Sequence, residues 1–347
     1  MTENDNLWQW SKNKWFLKFY WFIKSFGIKN PWNIYSWLKH CCWKRFFDWF
    51  FSDNYVYISN ERYLKAKEFK QYFDDKNKYE KLVKNLDFES VYLIYRYFNV
   101  INNVLWNRDL CLPRELLYIS DNPRWRKIYK NIKYYTKDFY IPWDLLSEVR
   151  FYKHGINHIP NIITYTEWKD VIDCWAFIWD SAIMFNKELK VNKIFCCEPD
   201  PKNYKTLGKV IQKNHKEKYI FPVDFWVWSK KCELHFDAWK WGGSWINNEW
   251  KITIKIDTID NLVKENNINP WIIKRDIEWA EYDSLLWAEQ TIKKYKPDLL
   301  ISIYHTAKDF FEIKPLLESW NLWYKFKIVH CSEQTSNAEI MLLAYIE

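Results

Sequence analysis

From residue 170 onward, short apolar runs alternate with longer stretches whose apolar residues recur at helical spacing. The runs predict strands at 170–174, 193–198, 219–223, 231–237, 251–256, 271–276, 298–303, 325–330 and 338–346. The periodic stretches predict helices at 180–189, 201–214, 258–266, 280–294 and 309–320. This alternation predicts an α/β domain over 151–347, a mostly parallel sheet with helices on both faces. No helical period separates the last two strands, so they predict a closing antiparallel hairpin. Residues 60–135 read as helical, with apolar positions at Leu64, Phe69, Tyr72 and Phe73, then at Leu82, Leu86, Val91, Leu93, Ile94 and Tyr97. They predict a helical cap or substrate-selecting region over 53–150. Residues 1–52 are aromatic and basic. Trp15, Phe19, Phe22, Ile23 and Phe26 share a helical face with Lys14, Lys18 and Lys24 nearby. Such a face suits a membrane surface or the rest of the protein, and the second reading is preferred.

One stretch organises the chemistry. Val171 and Ile172 end a buried strand, Asp173 stands at its carboxyl end, and a helical pattern resumes at Ser181 with Ala182, Ile183, Phe185 and Leu189. Strand, tight loop and helix present backbone amides and a helix N-terminus to a nucleotide-like ligand. Such a loop calls for glycine, where the turn needs positive φ and the ligand must approach bare backbone. Here Trp175 and Trp179 stand in those places.

Composition sharpens this mismatch. The 347 residues include 25 Trp and only 5 Gly, whereas ordinary usage of about 7% implies roughly 24 glycines. Tryptophan also falls at other loop positions suited to glycine, in Asn269-Pro270-Trp271, Leu322-Trp323-Tyr324 and Glu278-Trp279-Ala280. The pattern predicts that many of these tryptophans are glycines in the living cell, through a stop-type codon reassigned to glycine. The alternative is a truly tryptophan-rich protein whose aromatics bind sugar or a membrane interface.

Charge excludes little. Lys and Arg number 52 against 44 Asp and Glu, with no basic block, so no nucleic-acid partner is expected. No apolar run reaches the ~18 residues of a membrane span. The 8 cysteines form no CxxC pair and no zinc spacing. These features predict reduced thiols, no metal, no signal peptide and a cytoplasmic location.

Three further signals sit at predicted strand ends. Glu198 follows the strand Ile194-Phe195-Cys196-Cys197, nineteen residues after Trp179, where a carboxylate can accept both hydroxyls of a ribose. The alternative is a solvated acid at a helix start. The stretch Ile272-Ile273-Lys274-Arg275-Asp276-Ile277-Glu278 runs a strand into carboxylates, of which Asp276 and Glu278 are the functional candidates. Glu281 simply favours a helix N-terminus. Finally, His305 ends the run Ile301-Ser302-Ile303-Tyr304 and faces the same crevice as a candidate base.

Together the stretches VIDCWAFIWDS, FCCEPDPKNYKTL, IIKRDIEWAEYDSLLWAE and KPDLLISIYHTAKDFFEI resemble the FkbM family of S-adenosylmethionine-dependent methyltransferases. That family has glycine where this chain has Trp175, Trp179, Trp279 and Trp287. The resemblance implies a Rossmann-like class I methyltransferase fold over 151–347 and methyl transfer, usually onto a hydroxyl oxygen. It implies that Asp173 and the loop with Trp175, Ala176, Trp179, Asp180 and Ser181 hold the methionine part of S-adenosylmethionine. Glu198 would bind its ribose, and Asp224 to Ser229, with Trp228 as a true tryptophan, would border its adenine. Asp276, Glu278 and His305 would line the acceptor side, with His305 or Asp276 as base. The expected acceptor is a sugar, a glycan or another small metabolite. A non-catalytic relative that stacks aromatic residues on carbohydrate is the second reading. Oligomeric state is left open.

Overall fold

The computed structural model describes residues 55–58, 60–107, 111–113, 139–140, 149, 152–162, 168–178, 180–236, 252–278, 280–332 and 338–346. The aromatic segment 1–52, and with it the membrane-surface reading, lies outside the described residues. Among the described residues no helix is long and apolar enough to cross a membrane. The chain divides into two compact units. In one, strands β1 (Tyr55–Tyr57) and β2 (Cys111–Pro113) pair antiparallel. The other unit spans residues 58–108 and 115–347 and carries the large sheet.

That sheet is built from apolar runs. The strands β3 (Asp170–Cys174), β4 (Ile194–Cys197) and β10 (Asp298–Ser302) are buried at every residue, as strands covered on both faces must be. They join β5 (Ile220–Val223), β9 (Pro270–Arg275), β11 (Lys325–His330) and β12 (Ile340–Tyr345). The order across the sheet is β11-β12-β10-β9-β3-β4-β5. Strands β3, β4, β5, β9 and β10 run parallel, and β12 lies between β10 and β11, antiparallel to both. The closing hairpin is therefore present, and this is the Rossmann-like class I methyltransferase architecture. From β3 the chain winds to β4 and β5 on one side, then to β9 and β10 on the other. The topological switch point lies between β3 and β9, where open α/β sheets bind ligands.

Two predicted strands left the main sheet. Residues Cys232–Phe236 (β7) and Ile252–Asp257 (β8) pair with each other and with a short β6 (Trp226–Val227) in a separate three-stranded sheet. Apolar alternation marks a strand but not the sheet it joins, and β6 is too short to show a period.

Helices follow the predicted pattern with local changes. Those between the strands include α4 (Asp180–Glu188), α5 (Pro201–Lys213) and α6 (Ile259–Asn266). Asp200 caps α5 by accepting from the amides of Lys202 at 2.8 Å and Asn203 at 2.9 Å. The single helix expected at 280–294 is two, α7 (Glu281–Leu286) and α8 (Glu289–Tyr295). Asp260 of α6 accepts from the Thr291 amide at 2.8 Å and so caps a fresh helix start there. Then comes α9 (Ala307–Ser319), capped by Thr306. The amino-terminal helices are α1 (Asn60–Asp74), α2 (Lys76–Val83) and α3 (Phe88–Trp106). They belong to the same compact unit as the sheet. Phe69, Phe73 and Tyr97 pack their rings on Phe310 and Phe311 of α9. The Ser90 hydroxyl of α3 accepts from the Ile328 amide of β11 at 2.9 Å.

Backbone conformation bears on the tryptophan question. Gly155 has φ +81°, and a Cβ there would meet Val329 Cγ2 at 2.7 Å, so glycine is required. Three tryptophans share the left-handed region, Trp168 at φ 64°, Trp175 at φ 66° and Trp323 at φ 70°. A residue with a Cβ is strained there by roughly 1–2 kcal/mol. Trp168 and Trp323 are also 77% and 84% exposed, so burial does not offset that strain. Trp271 and Trp287 differ. Trp271 lies inside β9, and Trp287 has φ −91°, which any residue adopts. Neither backbone asks for glycine. Trp279 and Trp179 lie outside the described residues.

Candidate active site

The carboxyl ends of the parallel strands bring the predicted residues to one edge of the sheet. Asp173 is on β3, Glu198 follows β4, Asp224 follows β5, Asp276 and Glu278 follow β9, and His305 follows β10. Two groupings result.

The first surrounds the β3 loop. Register places Asp173 beside Lys274 of β9, so two long-separated residues become neighbours. Lys274 Nζ lies 3.1 Å from Asp173 Oδ1 and donates to the Trp175 carbonyl at 3.1 Å. Ser181 Oγ donates to Asp173 Oδ2 at 2.5 Å. Burial opposes the charge on Lys274, but the Asp173 and Asp276 carboxylates outweigh it and hold the ammonium above its ordinary value. Asp173, held by Lys274 and Ser181, thus joins the loop to the start of α4. The amides of Trp175 and Ala176 both donate to the Cys197 carbonyl at 3.0 Å, so neither points at a ligand. That corrects the expectation that this part of the loop offers free amides. The Trp175 indole packs edge-on against the buried Trp226, with ring centroids 5.9 Å apart. Backbone alone describes Asp180, the first residue of α4.

Glu198 accepts through Oε1 from the Asp200 amide at 2.9 Å and from the Asn203 side-chain amide at 3.5 Å, the Phe177 amide also favours its charge, and the buried Oε2 has no partner within hydrogen-bond geometry. Burial pushes its carboxyl up to about 8, partly offset by the Asp200 amide. A buried acceptor with nothing to accept from suits a pair of ribose hydroxyls. Yet the residue is 0% exposed, so the site is closed over it in this structure. The carboxylate fits the cofactor, and a loop whose Trp175 and Ala176 amides are already taken by the Cys197 carbonyl does not. Asp224 is exposed and pairs with Lys255 at 2.5 Å. Trp228 donates its amide to the Asp257 carbonyl at 3.0 Å and stacks obliquely near Trp226 at 5.4 Å.

The second grouping lies across the switch point. His305 is buried, with Nδ1 2.8 Å from Glu281 Oε1. Its Nε2 lies 3.6 Å from Asp276 Oδ1 and 3.5 Å from Glu278 Oε2. Burial would discharge the imidazole, but Glu281, Glu278 and Asp276 outweigh it and raise His305 to about 10. The ring therefore carries its proton at neutral pH, which removes it as the base that its position suggested. Asp276 is a weak base too. Burial would raise it, but Lys274 and His305 hold it below the usual carboxylate range. Burial lifts Glu278 to about 7, against the pull of His305, which makes it the best matched proton acceptor of the set. Its backbone at φ 61° is itself in the left-handed region.

Glu281 does start α7, as expected, but it is also wholly buried, and its Oε1 accepts from the Ile277 amide at 2.9 Å. Lys274, Glu281, Lys65 and Glu339 were missed by sequence reasoning. Lys65 of α1 sits 5.9 Å from the Tyr304 ring, and Glu278 opposes the effect of burial on its charge. Burial and the nearby Asp276 raise Glu339 to about 8. Only Lys274 carried a signal, a lysine inside an apolar strand.

No protein-family profile matches the chain, and no curated protein matches it. Solved structures do. The chain is similar to a crystal structure titled methyltransferase FkbM from Methylobacillus flagellatus, with a TM-score of 0.52 and 17% identity over 80% of this chain. It spans 60% of that structure's chain. It is also similar to Aeropyrum pernix fibrillarin with bound S-adenosylmethionine, at TM-score 0.36 and 10% identity, covering 57% of this chain and 76% of that one. A precorrin-6y C5,15-methyltransferase from Geobacter metallireducens gives TM-score 0.37 and 11% identity, covering 60% and 94%. The first of these likenesses supports the methyltransferase fold, at an identity that speaks to fold alone.

Proposed function

We propose that this protein is an S-adenosylmethionine-dependent O-methyltransferase acting on a hydroxyl of a sugar, glycan or other small metabolite. The observation that carries this reading is Glu198, a buried carboxylate with an unpartnered oxygen at the end of β4, beside the β3 loop and next to the switch point. The cofactor supplies a methyl group already activated on a sulfonium. Asp173, Ser181 and the 175–181 loop would hold its amino-acid part, and Glu198 would take the ribose. Residues around Asp224 and Trp228 border the adenine. What remains for the chain is to align the acceptor oxygen and remove its proton. Glu278 would accept that proton from the acceptor hydroxyl while the cofactor supplies the methyl group. Asp276, Glu281 and the charged His305 fix the acceptor's approach. A carbohydrate-binding relative without turnover is the rival reading, supported by exposed aromatics such as Trp106, Trp168 and Trp323.

The same reading makes Trp175 and Trp179 glycines in the natural protein. The strained, exposed turns at Trp168 and Trp323 support glycine there also. Mass spectrometry of peptides from the natural source is expected to show glycine at 168, 175, 179 and 323. Tryptophan at these positions would end the reassigned-codon reading.

Binding tests the function. In protein carrying glycine at 175 and 179, Glu198→Gln is expected to weaken S-adenosylmethionine binding about 10- to 100-fold, since a hydrogen bond to a charged group is worth about 1.5–3 kcal/mol. The pH dependence has a definite sign. The ionised carboxylate accepts both hydroxyls, so wherever burial keeps this carboxyl above its ordinary range affinity rises as pH is raised through its pKa and levels off above it. The Gln variant loses this rise. Calorimetric titration from pH 6 to 9 reads both effects, and equal affinities for the two proteins would remove the ribose assignment.

A further inference from the structure

One acid beside the acceptor crevice takes no part in the chemistry above. Glu339 immediately precedes β12, which runs antiparallel to β10. Its backbone is pinned on both sides. The Cys331 amide donates to the Glu339 carbonyl at 2.8 Å, and the Ile303 amide donates to the Ile340 carbonyl at 3.0 Å. These bonds set the residue against the end of β10, beside the loop that carries Tyr304 and His305.

Neither backbone nor packing accounts for a glutamate there. Its φ is 60°, in the left-handed region that favours glycine and tolerates asparagine. Lys296 holds a similar φ of 49° at the end of α8, but its side chain lies in solvent. Glu339 turns inward instead, and its buried Oε2 has no hydrogen-bond partner. Backbone strain that delivers an unpaired polar atom to a crevice marks a residue kept for function. Glu278 repeats the combination, with φ 61° and a carboxyl facing His305.

The charges around Glu339 are mixed. It faces Asp276, Glu278 and Lys274 from the β9 side, His305 and Tyr304 from the β10 side, and Cys331 from its own hairpin. Of the other cations near these carboxylates, Arg275 donates to the Glu281 carbonyl at 3.4 Å, and Lys65 faces Glu278. Burial and the nearby Asp276 push Glu339 up to about 8, so at neutral pH it is the uncharged acid. An uncharged carboxyl both donates and accepts, as an alcohol does, and adds no charge to the crevice.

We propose that Glu339 is a specificity-determining residue of the acceptor crevice. It binds a second hydroxyl next to the one whose proton Glu278 takes, and so selects polyols with adjacent hydroxyls over lone alcohols. The selection of a methyl acceptor rests on the methyltransferase reading, whereas the binding of adjacent hydroxyls rests on the crevice alone.

Two probes isolate the second hydroxyl: a cyclohexanediol with adjacent trans hydroxyls, and cyclohexanol. Saturation-transfer NMR on the full chain with glycine at 175 and 179 is expected to show the diol bound about fivefold more strongly, as one added hydrogen bond allows. This comparison stands without a variant in the crevice. Glu339→Gly removes the strained Cβ and the carboxyl together. It is expected to erase the preference for the diol and to raise the melting temperature by roughly 2–4 °C. Equal binding of the two probes, no binding of the diol, or an undiminished preference in Glu339→Gly would each overturn the assignment. A lower melting temperature in that variant would overturn it too, because Glu339 would then serve the hairpin. S-adenosylmethionine binding is measured on the same samples. Cofactor binding without a preference for the diol removes only the second-hydroxyl site. A preference for the diol without cofactor binding removes only the methyltransferase reading.

Discussion

Replacing Trp175 and Trp179 together by glycine is expected to raise affinity for S-adenosylmethionine by about 100-fold or more. Two local facts set the size. Trp175 holds φ 66°, where a Cβ is strained by roughly 1–2 kcal/mol. Its indole packs against Trp226 at 5.9 Å, within a loop that must instead approach the ligand as bare backbone. Loosening the loop is the larger effect, because Glu198 cannot meet a ribose while it is 0% exposed. A hundredfold gain corresponds to about 2.7 kcal/mol, a modest demand for opening a closed site. Titration of the tryptophan-bearing chain and the double variant at pH 8 reads the difference. Equal affinities would mean that the tryptophans are native to the loop and that the site binds something else. The aromatic carbohydrate-binding reading would then lead.

How much of this was visible in the residue order differs by element. The parallel core was legible because a strand buried on both faces is an unbroken apolar run, as in Ile194-Phe195-Cys196-Cys197, and little else in the chain looks like it. The positions of Asp173, Glu198, Asp276 and His305 were legible for the same reason, since each follows such a run. Partnership was not legible. Nothing in the sequence pairs Lys274 with Asp173, because register between β3 and β9 is set by packing across a hundred residues of chain. Glu281 read as an ordinary acid at a helix start, and only the fold shows that His305 needs it. The second sheet was hidden because β7 and β8 have strand patterns as good as any in the main sheet. Of the tryptophans singled out, Trp175 and Trp323 have left-handed backbone, whereas Trp271 sits inside a strand and Trp287 has ordinary backbone.

Lys274→Met is expected to lower folding stability by about 3–5 kcal/mol, because it strands a buried anion. Asp173 is 0% exposed, and its neighbours after the change are the Ser181 hydroxyl and an apolar sheet. The loss approaches half of the 5–15 kcal/mol that holds a typical domain together. Asp173→Asn combined with Lys274→Met removes both charges and is expected to recover part of the loss, because a buried pair repays little beyond its own desolvation. Urea denaturation of the two single variants and the double variant gives the coupling directly. The pair also has a functional reach. Lys274 ties Asp173 on β3 to the carbonyl of Trp175, so it sets the entry into the loop that must receive the cofactor. A stability loss under 1 kcal/mol would mean that water reaches Asp173, and that this entry is looser than the paired geometry implies.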